Sequence, residues 1–423
     1  MNEDFLYYLW QYKLMPVNEL VAVNNAKIVL KDTGNINNFS GPDFLNAQIF
    51  IDEQLWAGNV EMHLKSSDWY LHKHEQDVNY DNVILHVVWE NDVDIFMKNN
   101  EPLPTLELKN IIHKKLIHDY KSLFLSDKEW ISCEKQIRNV DKFLINNWLE
   151  RLYFERLENK SSFIKDVLKD NNFDFEATLF QLLAKNFGLK VNGDAFFRLA
   201  KSVDFSIIRK LSFNEKELSA LFFGQAGFLE EDFQNSYQKE LSLEYNYLKH
   251  KYDLVPLSKN NFQFFRMRPS NFPTIRIAQL VTLVNKNKGL FSKVLECKSL
   301  EDFYMLFSIE VNEFWKTHYT FSSKSKKSKK KITKSFINLL LINTIIPLKF
   351  VYSKYVRENF EETTLDLISE IKPEKNNIVT RFYNLNIKAK NALQSQSLLE
   401  LKYNYCDKKR CLKCAVGNRI LRG

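Results

Sequence analysis

Apolar and polar positions alternate in two different ways along this chain. Up to about residue 125 the spacing is mostly that of short strands. From about Asp141 onward it is that of helices. Residues 3–14, EDFLYYLWQYKL, carry a helical apolar period with no breaker. Residues 20–31, LVAVNNAKIVLK, predict two short strands around an Asn-Asn turn, and TGNINNFSGP follows as a loop. Phe44 to Ile51 and Leu55 to Leu64 predict two strands joined by a turn at Asp52-Glu53-Gln54. Val83 to Trp89, VILHVVW, is almost continuously apolar, as in a strand buried on both faces. Leu103 to Leu108 predicts an edge strand with Pro102 and Pro104 at its start. Helix returns over 110–125. WLERLYFERLENKSSFIKDVL then begins a long series of amphipathic helices, predicted over 175–187, 194–202, 214–223, 230–250, 274–286, 300–318, 335–352, 361–371, 375–386 and 388–404.

This pattern predicts an α+β protein: an N-terminal α/β domain with a mixed sheet over 1–125, then a mostly α-helical remainder. Within the remainder we expect a helical domain over 126–321 and a Ser/Lys-rich linker or loop over 322–334 (SSKSKKSKKKITK). A helical C-terminal region with a cysteine cluster should then occupy 335–423. The chain has 423 residues, of which 45% are hydrophobic, enough to bury ordinary cores and to exclude a disordered chain. A net charge of +8 permits a DNA or RNA partner without requiring one. The N-terminus lacks the basic run of a signal peptide. The most apolar stretch, Phe336 to Pro347, is shorter than the ~18–20 residues that span a bilayer, so we expect a buried helix and no membrane partner. Five cysteines, an odd number, point to a reducing cytoplasm.

Candidate chemistry concentrates between Gly41 and Glu90, which hold four of the eight histidines. Glu61, His63 and Lys65 alternate with Val60, Met62 and Leu64, so the polar three share one face of a strand. At ~3.3 Å per residue, Glu61 and His63 lie ~7 Å apart along it and can serve one site, while Lys65 lies ~13 Å from Glu61. Asp43 opens the preceding strand, and the register decides whether it faces Glu61. Two carboxylates brought together there would hold a hard divalent ion, Mg²⁺ or Mn²⁺, able to activate water and neutralise a phosphate. His72, His74, Asp77 and His86 offer either support for that site or a separate site for Zn²⁺, Mn²⁺ or Fe²⁺. The alternatives are a core histidine at His86 and a turn-forming Asp77.

Pro42-Asp43 and, on the next strand, Glu61-Met62-His63 resemble the PD-(D/E)xK nuclease superfamily. The order of a helix, a short strand pair, two acid-bearing strands and an apolar strand fits as well. The resemblance implies a metal-dependent nuclease, or a nuclease-derived nucleic-acid-binding protein, with Asp43 and Glu61 as metal ligands. His63 stands where that family has a lysine, and 66–82 is too short and polar for the helix usual there. Over nearly the full length, GPDFLNAQI, GNVEMHLKSSDW with HKH, VILHVVWE, FRMRPSNFPTIRIAQL and the terminal YC…CLKC resemble a bacterial family catalogued only as a domain of unknown function.

Two further clusters stand apart. Cys406, Cys411 and Cys414 form C-x4-C-x2-C, a metal pattern for Zn²⁺ or an Fe–S cluster, with Cys133 the first choice of fourth ligand and Cys297 the second. Arg266, Arg268 and Arg276 lie among Phe264, Phe265 and Phe272 beside a helix start expected near Thr274. That arrangement suits phosphate binding or, equally, an internal packing loop. Besides the nuclease reading, the sequence leaves two functions open. One is a non-catalytic scaffold whose polar site is structural, and the other is a His-ligated metalloenzyme acting on a small molecule.

Overall fold

The computed structural model describes residues 1–124, 129–230, 233–357 and 361–423. They group into two units: Met1–Trp148 with Leu385–Ile387 and Leu401–Gly423, and Leu149–Asn384 with Lys388–Glu400. The architecture is α+β, and among the described residues every strand of the sheet belongs to the first unit. The domain boundary expected at 125–126 falls outside the described residues, as does part of the helix start expected at 230.

In the first unit, α1 (Glu3–Gln11) buries Phe5, Leu6, Leu9 and Trp10 on one stripe. Seven strands follow: β1 (Leu20–Val21), β2 (Lys27–Asp32), β3 (Asn35–Ile36), β4 (Phe44–Ile51), β5 (Gln54–Lys65), β6 (Val83–Glu90) and β7 (Thr105–Glu107). Their order is β1-β2-β4-β5-β6-β7, with β3 added to β4. β4 runs antiparallel to β2 and β5, whereas β5, β6 and β7 run parallel. That change of sense has a plain cause. β4 and β5 are joined by a tight hairpin, while β5 must cross over before it can feed β6. The crossover is short. It contains the four-residue helix α2 (Asp68–Leu71) and two single turns, His74–Gln76 and Val78–Tyr80, so no full helix forms in 66–82.

Both ends of the crossover are pinned. The Ser66 hydroxyl, fully buried, donates to the Val93 carbonyl at 2.7 Å, and Asp92 accepts from the Ser67 amide and hydroxyl, each at 2.9 Å. Asp77 accepts from the Asn79 amide at 2.9 Å, closing the last turn before β6. The long cationic arm of Lys65 turns toward Asp92, with 4.0 Å between charged atoms, and its side chain is 61% exposed.

The second unit is built from helices, among them the larger part of a long helix, Lys142–Asp170, then Phe175–Phe187, Leu189–Lys201, Glu215–Gln225, Ser236–Tyr252 and Pro273–Lys286. Gly224 shows how closely two of them pack. A Cβ there would lie 2.1 Å from the Tyr245 ring, so only glycine allows the approach. The Ser/Lys run 322–334 lies wholly inside this unit rather than between units. It is a packed strap: Ile332 is buried, and the Lys330 ammonium donates to the His318 carbonyl at 2.8 Å and the Ser325 hydroxyl at 3.0 Å.

The apolar stretch after it forms a 23-residue helix, Lys334–Val356, longer than the sequence suggests. It passes Pro347 because a π-turn over Leu341–Ile345 comes just before the proline, where the missing amide would otherwise break the helical ladder. By length and composition it could cross a membrane, but 67% of its most apolar window is buried within the fold, as in a core helix.

Candidate metal centre

The site begins with a bulge. Near the hairpin, β4 and β5 pair as Ile51 with Gln54 and Ala47 with Gly58, but at the far end Phe44 pairs with Val60. β4 has therefore gained one residue, and Asn46, at φ +58°, takes it up in the left-handed region. A slip of one residue reverses every side chain beyond it. Without the bulge, Asp43 would sit opposite Met62 on the apolar face. With it, Asp43 comes beside Glu61. The contacts agree: the Asp43 amide donates to Glu61 Oε2 at 3.1 Å, and Asp43 Oδ2 accepts from the Met62 amide at 2.9 Å.

Asp43's other oxygen, Oδ1, accepts from the Tyr7 hydroxyl at 2.7 Å. Both of its oxygens are thus engaged by the protein, and the residue acts as a brace between α1 and β5. Glu61 keeps Oε1 free of backbone and aims it at two imidazoles, 3.5 Å from His63 Nε2 and 3.4 Å from His74 Nε2. His63 Nε2 also lies 3.1 Å from His72 Nδ1. The donor nitrogens of His63, His72 and His74 all come within 4.8 Å of one another.

The short crossover achieves this convergence. Lys73, at φ +61°, turns the chain so that His72 and His74 both reach back over the face that carries His63. Tyr80 stacks on His74 with ring centroids 3.8 Å apart, and Trp69, fully buried, closes the floor 5.4 Å from both His74 and His86. His72 is exposed, so the cluster opens to solvent there.

His86 is fully buried, and its Nε2 lies 2.9 Å from His63 Nδ1. If His63 donates there, its Nε2 lone pair is left facing Glu61, His72 and the solvent side, which is the tautomer a metal ligand requires. His86 is then an orienting partner on the next strand.

Burial dominates the electrostatics of the cluster. Burial, then the charge of Glu61, raises Asp43 to about 7, and burial raises Glu61 to about 8. Burial, reinforced by the neighbouring imidazoles, lowers His63 to about 2, while burial lowers His86 to about 3 and also depresses His74. Carboxyls that resist losing protons and imidazoles that resist gaining them are what burial does to such a donor set. A divalent ion would reverse both effects.

The sequence grouping thus comes out differently in space. Asp43, Glu61 and His63 are adjacent as expected, but His72 and His74 join Glu61 and His63 directly. Lys65 and Asp77 point elsewhere. Tyr7 and Glu3, four residues apart on one face of α1, were not among the sequence candidates. Glu3 couples electrostatically to His72, and Tyr7 fixes Asp43. A tyrosine on the polar side of an otherwise apolar helix was the only signal.

The other sequence-predicted residues lie in two places. Cys133, Cys406, Cys411 and Cys414 gather around one small cavity of the first unit, and Cys297 belongs to the second. In the second unit, Arg268 and Arg276 line a pocket of ≈ 440 Å³ with Ser270, Lys330, Lys331 and Thr333. Arg276 is buried, donating to Gln279 at 2.8 Å and Asn271 at 2.7 Å, with its guanidinium 3.7 Å from the Phe336 ring centre. Arg266, at φ +57°, is exposed beside Phe265 and does not line that pocket.

No curated protein and no solved structure matches this chain. A family does: residues 3–377 match DUF2851, described as a protein of unknown function, a span that holds the whole Asp43–His86 cluster and stops short of the terminal cysteines. The chain belongs to the DUF2851 family.

Proposed function

We propose that this protein is a metal-dependent phosphodiester hydrolase of the nuclease type, with its centre at Glu61, His63, His72 and His74. One observation carries the reading. Four ligand atoms lie 3.1 to 3.5 Å apart along three links, His72–His63, His63–Glu61 and Glu61–His74. Metal–ligand bonds of 2.0–2.1 Å in a tetrahedron place their ligand atoms roughly 3.3 Å apart. These three links match that spacing, while the ligand atoms that all lie within 4.8 Å of one another are those of the three imidazoles, so an ion would draw Glu61 and His72 closer as it bound. The exposed edge at His72 leaves room for water or substrate, as catalytic sites require and structural ones do not.

Three imidazoles and one carboxylate favour Mn²⁺, Zn²⁺ or Fe²⁺ over Mg²⁺, which prefers oxygen ligands. Such an ion supplies a water of lowered pKa and a positive charge for a phosphate oxygen. The chain's own part is to hold the donors in place. His86 sets the tautomer of His63, the Asp43 amide aims Glu61, and Tyr7 holds Asp43. Trp69 and Tyr80 keep water from the floor of the site.

The pocket of the second unit supports a nucleic-acid substrate. Cations and hydroxyls line it without a carboxylate, Arg268 and Lys331 among them. That is a surface suited to phosphate. Arg268→Ala with Lys331→Ala is expected to weaken oligonucleotide binding and to flatten its salt dependence by about one phosphate contact per charge removed. Unchanged binding and slope would separate the pocket from this function.

The direct test incubates the purified chain with single- and double-stranded DNA and RNA in Mg²⁺, Mn²⁺ or Zn²⁺. Metal-dependent cleavage is expected, and it should vanish in the Asp43→Ala, Glu61→Ala double variant. Cleavage that persists in that variant defeats the proposal. Stoichiometric metal bound through the histidines, with no cleavage of any nucleic acid, would instead favour the reading as a small-molecule metalloenzyme, which the three imidazoles also support.

A further inference from the structure

Cys133 comes from the turns after α3 (Lys114–Phe124), and Cys406, Cys411 and Cys414 come from the last eighteen residues of the chain. In the first unit these four thiols, so far apart in sequence, line one cavity with Ser132, Ile137, Leu401, Tyr405, Val416 and Gly417. Cys133, Cys411 and Cys414 are buried. The space in which a water's centre could lie is ≈ 20 Å³. A water there would need two to four polar partners, but sulfur and aliphatic carbon make up most of the wall. An unfilled void of that kind forfeits packing contacts.

The backbone around the cavity is shaped for thiolates. Gly417 sits where a Cβ would lie 2.2 Å from the Cys411 carbonyl oxygen, so only glycine lets the helix Ala415–Arg422 start against that turn. The amides of Val416 and Gly417 at this start point at the Cys414 sulfur. Asn418 ties the turn together by donating to the Leu412 carbonyl at 2.9 Å and to the Cys414 carbonyl at 3.1 Å. Amides directed at sulfur favour a thiolate, the form that coordination requires, and oppose the burial that otherwise keeps all four thiols protonated. The last helix is held in the same unit, with Arg422 over the Tyr12 ring at 4.1 Å.

The spacing of the sulfurs discriminates between occupants. Four thiolates on one Zn²⁺ at 2.3 Å would stand roughly 3.8 Å apart. Among the described residues, the imidazole set brings all its ligand atoms within 4.8 Å, and no three of these four sulfurs do so. A cubane cluster interposes iron and sulfide between its thiolates, so it holds them further apart around a filled centre.

We propose that Cys133, Cys406, Cys411 and Cys414 bind a [4Fe–4S] cluster that fastens the C-terminal segment into the sheet-bearing unit. The four thiols give up their protons on coordination, and the closure of so long a loop stabilises this unit when the cluster is in place. The inference is independent of the Glu61–histidine centre.

The full chain is purified without oxygen, or reconstituted with ferrous iron and sulfide. Iron, acid-labile sulfide and zinc are counted per chain, and the visible spectrum is recorded. About four irons and four sulfides, with a broad band near roughly 400 nm, are expected. Cys133→Ser and Cys411→Ser should lose most of both, whereas Cys297→Ser and Glu61→Gln should keep them. If the cysteine variants fail to fold, the wild-type count and the two retaining variants still decide. One zinc without sulfide overturns the cluster, as do four freely titratable thiols after reconstitution, or full iron in Cys133→Ser.

Discussion

Glu61→Gln is expected to weaken binding of Mn²⁺ or Zn²⁺ on the order of 100-fold or more and to remove metal-dependent cleavage, with little change in the fold. Among the described donors, Glu61 is the carboxylate whose oxygen faces the imidazoles, and the amide that replaces it keeps the shape while losing the charge an ion needs. The Asp43 amide could still donate to the new carbonyl, so the strands need not move. Asp43→Asn should behave differently. Both Asp43 oxygens are already occupied by Tyr7 and Met62, so its loss acts through the position of Glu61 and should cost about 10-fold to 100-fold in affinity. Tyr7→Phe should follow Asp43→Asn in direction and be smaller. Calorimetric titration of the three variants with Mn²⁺ gives the order directly. If Asp43→Asn proves as damaging as Glu61→Gln, Asp43 is a ligand and the brace described here is wrong. If neither changes affinity, the centre lies elsewhere.

That ordering turns on a detail the sequence does not display. Glu61 and His63 on one face follow from strand periodicity alone, and both are there. The position of Asp43 depends on a single extra residue in β4, absorbed by Asn46 in a left-handed conformation that many loop asparagines adopt. A strand pattern does not announce such a bulge. His72 and His74 are harder still, since their approach to Glu61 depends on the brevity of the crossover and the turn at Lys73. Strand spacing alone separates them from His63. Cys133 lines the cavity of the terminal cysteines and Cys297 lies in the other unit, a division that the C-x4-C-x2-C spacing by itself does not encode. The arginine segment was legible as a helix start and opaque as a binding surface. Arg276 is buried against Phe336, which is distant in sequence, and no local pattern encodes that contact.

The second unit holds an ion network whose disruption should be costly. Glu400→Ala is expected to destabilise this unit by about 2–3 kcal/mol, because it takes from the largely buried Arg156 its paired carboxylate and leaves Glu374 as a weaker partner. Glu400, whose side chain is 4% exposed, accepts from the Asn159 amide group at 2.9 Å and stands 3.6 Å from the Arg156 guanidinium. Arg156 and Lys160 are one helical turn apart, so two cations share this interior. Lys160 donates to Asn343 at 2.7 Å, and burial, then the charge of Arg156, lowers its pKa to about 7. The sign of the pH dependence follows. Above the ordinary lysine range, both folded and unfolded chains hold a neutral amine and nothing is lost. As the pH falls toward 7 the unfolded chain takes up a proton that the folded chain refuses, so stability drops until the folded pKa is passed. Lys160→Met should therefore raise stability near pH 7 and lose that advantage at more alkaline pH, the reverse of Glu400→Ala. Thermal unfolding followed by circular dichroism at several pH values separates the two. Glu400→Ala should lower the midpoint on the order of 10 °C. An unchanged midpoint would mean that water already reaches Arg156, and that the network is a surface feature of small energetic weight.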